Sequence, residues 1–263
     1  MKQTLAPITF NSEVMPGMHL VRLESPAIAA DARPGQFVMV RCGQDTLLRR
    51  PLSVHQVDGD NIALLFTIVG KGTRWLSQRK EGDSVDIFGP LGNGFFVHPH
   101  SKNLLLVAGG IGIAPLRFLA DVAVRQKRKV TLIMGASSAA YLLPISTPQR
   151  LFNEGVLPFD IHVINATEDG SEGFKGAVTD LISAYINHGD QIFACGPAGM
   201  YRTMAQMPEL KDKAVQISLE IMMGCGVGVC YGCTIKTRNG LKQVCKDGPV
   251  FDLEDIIWER LSL

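Results

Sequence analysis

Four of the six cysteines crowd the final stretch of the chain, at Cys225, Cys230, Cys233 and Cys245, in the spacing C-x4-C-x2-C-x11-C. No other feature constrains the fold as strongly. Thiols this close together must be drawn onto an inorganic centre or buried side by side. The first three reproduce the plant-type [2Fe–2S] spacing. A loop around such a cluster turns backbone amides toward sulfide, which favours glycine, and Gly224, Gly226, Gly228 and Gly232 lie among the cysteines. Those amides would also stabilise the reduced, more negative cluster. A four-cysteine zinc site normally uses two short pairs. Here one gap is four residues and the last cysteine stands alone, so zinc ranks behind iron and sulfur.

The rest of the chain reads as a folded protein. Of 263 residues, 46% are hydrophobic and 19% charged, enough apolar surface to build a core. Lys and Arg number 26 against 25 Asp and Glu, which leaves no electrostatic footprint for nucleic acid. The start Met1-Lys2-Gln3-Thr4 leads into no apolar run of signal-peptide length. Leu104–Val124 is mostly apolar, but it contains Gly109, Gly110, Gly112, Pro115, Arg117 and Asp121. Charges inside a membrane span are costly, and a strand, glycine loop and helix explain the stretch better. The expectation is a cytoplasmic protein that does not enter a membrane, with its cysteines free of disulfides.

In the first hundred residues the runs Gln36–Val40, Pro51–Val57, Asn61–Val69 and Ser84–Phe88 are rich in Val, Ile, Leu and Phe. Turn clusters such as Asp58-Gly59-Asp60 and Glu81-Gly82-Asp83 separate them. Short strands at such spacing predict an antiparallel barrel. From about residue 102 the pattern changes. Asn103–Ala108 reads as a strand buried on both faces, followed by a glycine-rich turn and a helix over Pro115–Arg125. Strands at Lys129–Gly135, Phe159–Asn165 and Gln191–Ala194, with helices at Gly176–Asn187 and Ala198–Gln206, predict a doubly wound parallel sheet. The expected division is an N-terminal β-barrel over 1–99, an α/β nucleotide domain over 100–215, and a small cluster-binding region over 216–263.

Four segments have the chemistry of cofactor loops. Arg49-Arg50-Pro51-Leu52-Ser53 offers guanidinium and hydroxyl groups to a phosphate or a flavin, though paired arginines at a strand start are usually a solvated face. Gly70-Lys71-Gly72-Thr73 follows a strand and opens a helix expected over Arg74–Lys80, where free amides suit a pyrophosphate. Thr73 serves equally well as a plain N-cap. Gly109-Gly110-Ile111-Gly112-Ile113-Ala114-Pro115 has the strand–loop–helix context of a dinucleotide loop, with Pro115 in place of the last glycine. Cys195-Gly196-Pro197 ends the last parallel strand and should face the same crevice. Cys195 is a candidate for the nicotinamide site or a small residue before a turn. Cys42, after an apolar run, reads as a packed residue. The six histidines show no metal spacing. Gly135-Ala136-Ser137-Ser138 ends the second parallel strand without an arginine for a 2′-phosphate, which favours NAD.

Together these motifs resemble the electron-transfer subunits of class B dihydroorotate dehydrogenase, within the ferredoxin–NADP reductase superfamily. The likeness rests on Arg50–Ser53, Gly70–Thr73, Gly89-Pro90-Leu91-Gly92-Asn93-Gly94-Phe95, Ala108–Pro115, and Asp169-Gly170-Ser171 with Lys175-Gly176. It continues through Cys195–Pro197 and Ser218-Leu219-Glu220 to the cysteine tail, ending Cys245-Lys246-Asp247-Gly248-Pro249-Val250-Phe251, and so covers nearly the whole chain. The resemblance implies FAD on the barrel, NAD on the nucleotide domain and a [2Fe–2S] cluster in the tail. Arg50, Pro51, Leu52 and Ser53 would hold FAD, with Leu65, Phe66 and Thr67 along the flavin and Gly72 and Thr73 at its pyrophosphate. NAD would meet Gly109, Gly110, Gly112, Pro115, Cys195, Gly196 and Pro197. Cys225, Cys230, Cys233 and Cys245 would ligate iron. The implied partner is a flavin-containing catalytic subunit that oxidises dihydroorotate in pyrimidine biosynthesis, in a heterotetramer of two plus two.

The three cofactors form a consistent set. A [2Fe–2S] cluster passes one electron at a time, NAD takes hydride, and FAD handles both, so FAD belongs between them. The chain is expected to be an oxidoreductase subunit whose redox chemistry lies on its cofactors. One alternative is an NAD(P)H reductase subunit serving a different partner. Another is a non-enzymatic redox-sensing iron–sulfur module, against which the intact Arg50–Ser53, Gly72-Thr73 and Gly110–Pro115 argue.

Overall fold

The structure, a computed structural model, describes residues 1–144 and 161–261. Phe159 and Asp160, the start of one expected strand, lie outside the described residues. Six strands close an antiparallel barrel: β1 (Lys2–Met15), β2 (Met18–Glu24), β3 (Phe37–Val40), β4 (Arg50–Asp58), β5 (Asn61–Thr67) and β6 (Ser84–Leu91), in the order β1-β2-β5-β4-β3-β6. β6 alternates between buried and less buried positions, as a half-covered strand does. β5 is buried on both faces. Ile62, Leu64 and Phe66 fill the barrel, while Ala63 and Leu65 pack into the neighbouring domain.

Strands are expected from about residue 8, but none of the apolar runs lies before Gln36, where the β1–β2 hairpin supplies two barrel strands. Pro7 and the polar run Thr9, Asn11, Ser12 and Glu13 hide the alternation in β1. The helix expected over Arg74–Lys80 starts three residues earlier, as α1 (Lys71–Ser77). The Thr73 hydroxyl accepts the N–H groups of Val69 (3.0 Å) and Gly70 (3.2 Å) and so fixes the first turn there.

A second sheet of seven strands has the order β10-β9-β8-β7-β11-β12-β15. Its strands are β7 (Asn103–Gly109), β8 (Lys129–Ala136), β9 (Ile161–Thr167), β10 (Phe174–Lys175), β11 (Gln191–Cys195), β12 (Val215–Ser218) and β15 (Val250–Asp252). All neighbours are parallel except β12 and β15. Leu105 and Val107 of β7 face one core, and Leu104, Leu106 and Ala108 face the other, which is shared with the barrel. The long helix is α2 (Ile113–Arg125), and α3 (Ala198–Gln206) lies where the sequence placed it.

The continuous helix expected over Gly176–Asn187 is instead a single α turn, Ile182–Tyr185, between 3-10 turns. Gly176 has φ +151°, outside helical space, and Asp180 accepts the Ala177 N–H at 2.9 Å to begin the first turn. The expected division at residue 216 falls inside β12. The tail forms the hairpin β13 (Thr234–Thr237) and β14 (Gly240–Gln243), then returns β15 to the edge of the sheet. Among the described residues no helix is long and apolar enough to cross a membrane.

Candidate functional site

The two arginines at the start of β4 have different employment. Arg49 spends its guanidinium on Asp86 across the barrel, at 2.6 and 3.1 Å. Burial opposes ionisation of Asp86, but Arg49 and Gln3 together hold its carboxyl below the usual range. Among the described residues the Arg50 guanidinium donates to the carbonyls of Leu48 and Arg49, both through one nitrogen, Nη1. A Cβ on Gly72 would stand 2.9 Å from Arg50 Nε and 3.3 Å from Cys42 Cβ. The glycine therefore makes room for the guanidinium, and the β4 start and the Gly70–Thr73 loop share one surface. The N–H groups of Lys71, Gly72 and Thr73 precede the first helical bond, Arg74 to Gly70, and are the free donors of that helix start. The Thr73 side chain is already committed to Val69 and Gly70, so what Thr73 offers a phosphate is its backbone N–H.

Arg50–Ser53 are half-buried, and exposed Leu47, Leu48 and Val69 flank them. Cationic donors, free amides and uncovered apolar surface together fit a dinucleotide with a flat ring. Thr67 is half-buried at the end of β5, whereas Leu65 and Phe66 turn their side chains into the cores. Those two positions can meet a ring only through backbone. Cys42 is buried, and burial pushes its thiol up to about 11.

The two glycine loops expected to meet a nucleotide come together at the switch point of the second sheet, where β7 and β11 lie side by side with Cys195 opposite Ala108. Gly110 has φ +54°. A Cβ on Gly112 would run into the Cys195 carbonyl, and one on Gly109 would sit 2.8 Å from Pro197 Cδ. These glycines are there because the two loops touch. Pro115 lies buried in the first turn of α2. Burial raises the Cys195 thiol to about 12, so it stays neutral and donates toward the Ser218 carbonyl at 3.6 Å.

The four tail cysteines form one electrostatic group. Burial opposes ionisation of Cys225, but the N–H groups of Val227, Cys230 and Val229 outweigh it and pull the thiol down to about 6. Burial and the adjacent Cys233 push Cys245 up to about 12, although Gly228 N–H donates to its sulfur at 3.1 Å. The Cys245 N–H donates to Cys233 Sγ at 3.4 Å, and that of Val227 to Cys225 Sγ at 3.4 Å. Amides aimed at sulfur are what an iron–sulfur cluster requires of its loop. Among the described residues no three ligating side chains close on the position of a single ion.

Cys233 and Cys245 are buried, while Cys230 is exposed. The loop rests on the barrel. A Cβ on Gly226 would stand 2.6 Å from Met39 Cγ, and Met39 is paired in register with Pro51. Asn93, of the barrel's closing segment, bonds the tail through the Gly248 carbonyl (2.6 Å) and the Asp247 carbonyl (3.0 Å). The sequence reading missed Met39 and also Tyr201, whose hydroxyl lies against the Cys195–Pro197 loop. A tyrosine one turn into the helix after a glycine loop was the available signal.

The chain matches the iron–sulfur cluster binding domain of dihydroorotate dehydrogenase B over residues 220–257 and the oxidoreductase NAD-binding domain over 106–206. It is 39% identical over 256 residues to the dihydroorotate dehydrogenase B (NAD(+)), electron transfer subunit, of Desulforamulus reducens, covering 94% of this chain and 95% of that one. The subunit of the same name from Clostridium acetobutylicum is 36% identical over 251 residues, covering 95% of each. Among solved structures, an NADH-dependent reduced ferredoxin-NADP oxidoreductase studied for flavin-based electron bifurcation superposes with a TM-score of 0.84. It is 29% identical, and the match covers 98% of this chain and 91% of that one.

Proposed function

The chain belongs to the electron-transfer subunits of dihydroorotate dehydrogenase B. On that premise we propose that it relays electrons from a dihydroorotate-oxidising catalytic subunit to NAD+ in pyrimidine biosynthesis. We place it in the cytoplasm, in an assembly of two subunits of each kind. When bound, the [2Fe–2S] cluster carries single electrons, NAD exchanges hydride, and FAD exchanges both. The chain's own residues bind and orient these groups. Cys225, Cys230, Cys233 and Cys245 hold the cluster. Arg50–Ser53, the β5 end Leu65–Thr67, Gly72 and Thr73 hold FAD, with the positive charge and free amides meeting its phosphates. Gly109, Gly110, Gly112, Pro115 and Cys195–Pro197 hold NAD. Residues 1–99, 100–215 and 216–263 are the corresponding working units.

The observation that carries this reading is a pair of contacts. Gly226 of the cluster loop lies on Met39, the register partner of Pro51, and Leu65, beside the expected flavin position, shares a buried core with Ile113 and Ala114 of the nucleotide loop. Cluster, flavin and nicotinamide positions then follow one another without a long gap. The exposed Cys230 has Val229 and Tyr231 beside it, 72% and 71% exposed, and Met222 and Leu241 are also uncovered. Apolar side chains uncovered around a redox ligand support this end as the contact with the catalytic subunit.

The test is co-expression with that subunit. The complex should reduce NAD+ with dihydroorotate. Cys230→Ser should lower that rate at least about 100-fold, as ligand loss does, with NADH-to-dye activity kept within about threefold. If both activities fell together, the order cluster, FAD, NAD would be wrong. A second reading, a reductase subunit for another partner, is favoured by the likeness to the ferredoxin-NADP oxidoreductase. It predicts a flavin reducible by NADH and no complex with a dihydroorotate-oxidising subunit.

A further inference from the structure

Tyr201 stands in the first turn of α3, is 1% exposed, and packs against Trp258 with ring centroids 5.6 Å apart. Its hydroxyl accepts the Gly196 N–H at 2.9 Å and donates to the Ser218 carbonyl at 2.6 Å. That carbonyl also receives the Cys195 thiol. One buried oxygen thus ties the loop after β11 to the end of β12. Phenylalanine would fill the same space, and a buried hydroxyl costs free energy unless it is bonded, so packing alone gives no reason for the oxygen.

The tied loop is also packed on by Met200 and by the glycine loop after β7. A Cβ on Gly196 would meet Met200 at 2.7 Å, and Gly112 sits against the Cys195 carbonyl. We propose that the Tyr201 hydroxyl is a positioning group for hydride exchange, holding Cys195 and Gly196 against Gly109–Gly112 and so setting where the nicotinamide ring lies. This rests on the reading of those loops as the NAD site. Hydride exchange requires the reacting atoms about 3–3.5 Å apart, and small displacements cost large factors in rate. Tyr201 is buried beneath the loop and acts through it. The neutral thiol of Cys195 is part of the same arrangement, since it shares the Ser218 carbonyl with the tyrosine.

The experiment compares Tyr201→Phe with the unaltered full chain, both carrying their cofactors. Flavin and cluster absorption should be unchanged. The limiting rate of flavin reduction by NADH should fall about tenfold, with the NADH dissociation constant within about threefold, because orientation rather than binding is lost. A second readout needs no turnover. Alkylation of Cys195 by iodoacetamide, followed on its peptide by mass spectrometry, should quicken about fivefold while Cys42 is unaffected, as expected when one buried hydrogen bond is removed. Cys195→Ala combined with Tyr201→Phe should cost less than the sum of the two single changes, because they act through one loop. A variant with unchanged limiting rate and unchanged Cys195 alkylation would overturn the proposal, as would a rate loss matched by loss of flavin. Were the unaltered chain itself not reduced by NADH, the NAD-site reading would fall, and the alkylation comparison would still decide whether Tyr201 holds the loop.

Discussion

The helix after the nucleotide loop and the loop around the cysteines both rest on the barrel, one on β4 and the other on β3. Beneath α2 apolar packing, with Phe118 in the barrel core and Ile113 and Ala114 in one core with Leu65, is joined by buried polar groups. His55 of β4 is fully buried and its Nδ1 donates to the Ala114 carbonyl at 3.0 Å. Beside it Arg117 pairs with Asp121 at 2.9 Å, both buried, and burial raises the Asp121 carboxyl against the pull of Arg117. Under the cysteines the contact is one of shape. Gly226 meets Met39 and Leu91, while the amides of Val227 and Gly228 point to sulfur. The difference follows from what each segment must do with its backbone. The cysteine loop spends its N–H groups on sulfur and docks on Met39 by close fit, while the residues after it offer carbonyls to Asn93. A helix satisfies its own backbone and can dock through side chains.

The largest effect should come from a glycine in the nucleotide loops. In Gly112→Ala the new methyl meets the Cys195 carbonyl, backbone that cannot turn aside. Overpacking there should cost on the order of 3 kcal/mol in thermal or urea unfolding, and flavin reduction by NADH should fall while the cluster spectrum persists. Gly226→Ala is the counterpart at the cluster. With φ at +76°, alanine pays about 1 kcal/mol for a left-handed backbone and about 1 more for pressing on Met39. Iron retention should drop with NADH reduction of the flavin intact. Equal damage to both activities from either variant would erase the distinction between the two docks.

The smallest effect is one of pH. Burial, reinforced by the Arg117 charge, lowers His55 from 6.5 to about 3. The unfolded chain therefore binds a proton there that the folded chain refuses, and stability falls as pH drops below 6.5. Between pH 7 and 5.5 this should cost about 1 kcal/mol. Urea unfolding at pH 7 and 5.5 measures the slope, and His55→Asn, which can keep a donor toward Ala114, should flatten it. A slope unchanged in that variant would place the acid sensitivity elsewhere.

The motifs were legible because each is local. The cysteine spacing, the glycines after β7 and the Cys-Gly-Pro turn after β11 are short signals set by chain geometry. Thr73 marks the limit of such reading: cap and ligand look the same in sequence, and only the bonds to Val69 and Gly70 showed where its hydroxyl is spent. Arg49 and Arg50 were likewise equivalent until the barrel closed and put Asp86 beside one of them.

What the sequence determined by itself was the presence of a cysteine loop rich in turned amides, a parallel sheet with glycine loops at its strand ends, and an antiparallel barrel before them. What the tertiary structure decided was every relation between segments far apart in the chain. Pairing of β1 with β6, the return of β15 to β12, Gly112 against Cys195, Gly226 on Met39 and the Tyr201 bridge to Ser218 all join residues whose own neighbours say nothing of the partner. The physical reason is that periodicity and backbone preference act over a few residues, whereas close packing and the pairing of buried polar groups are satisfied only across the assembled fold.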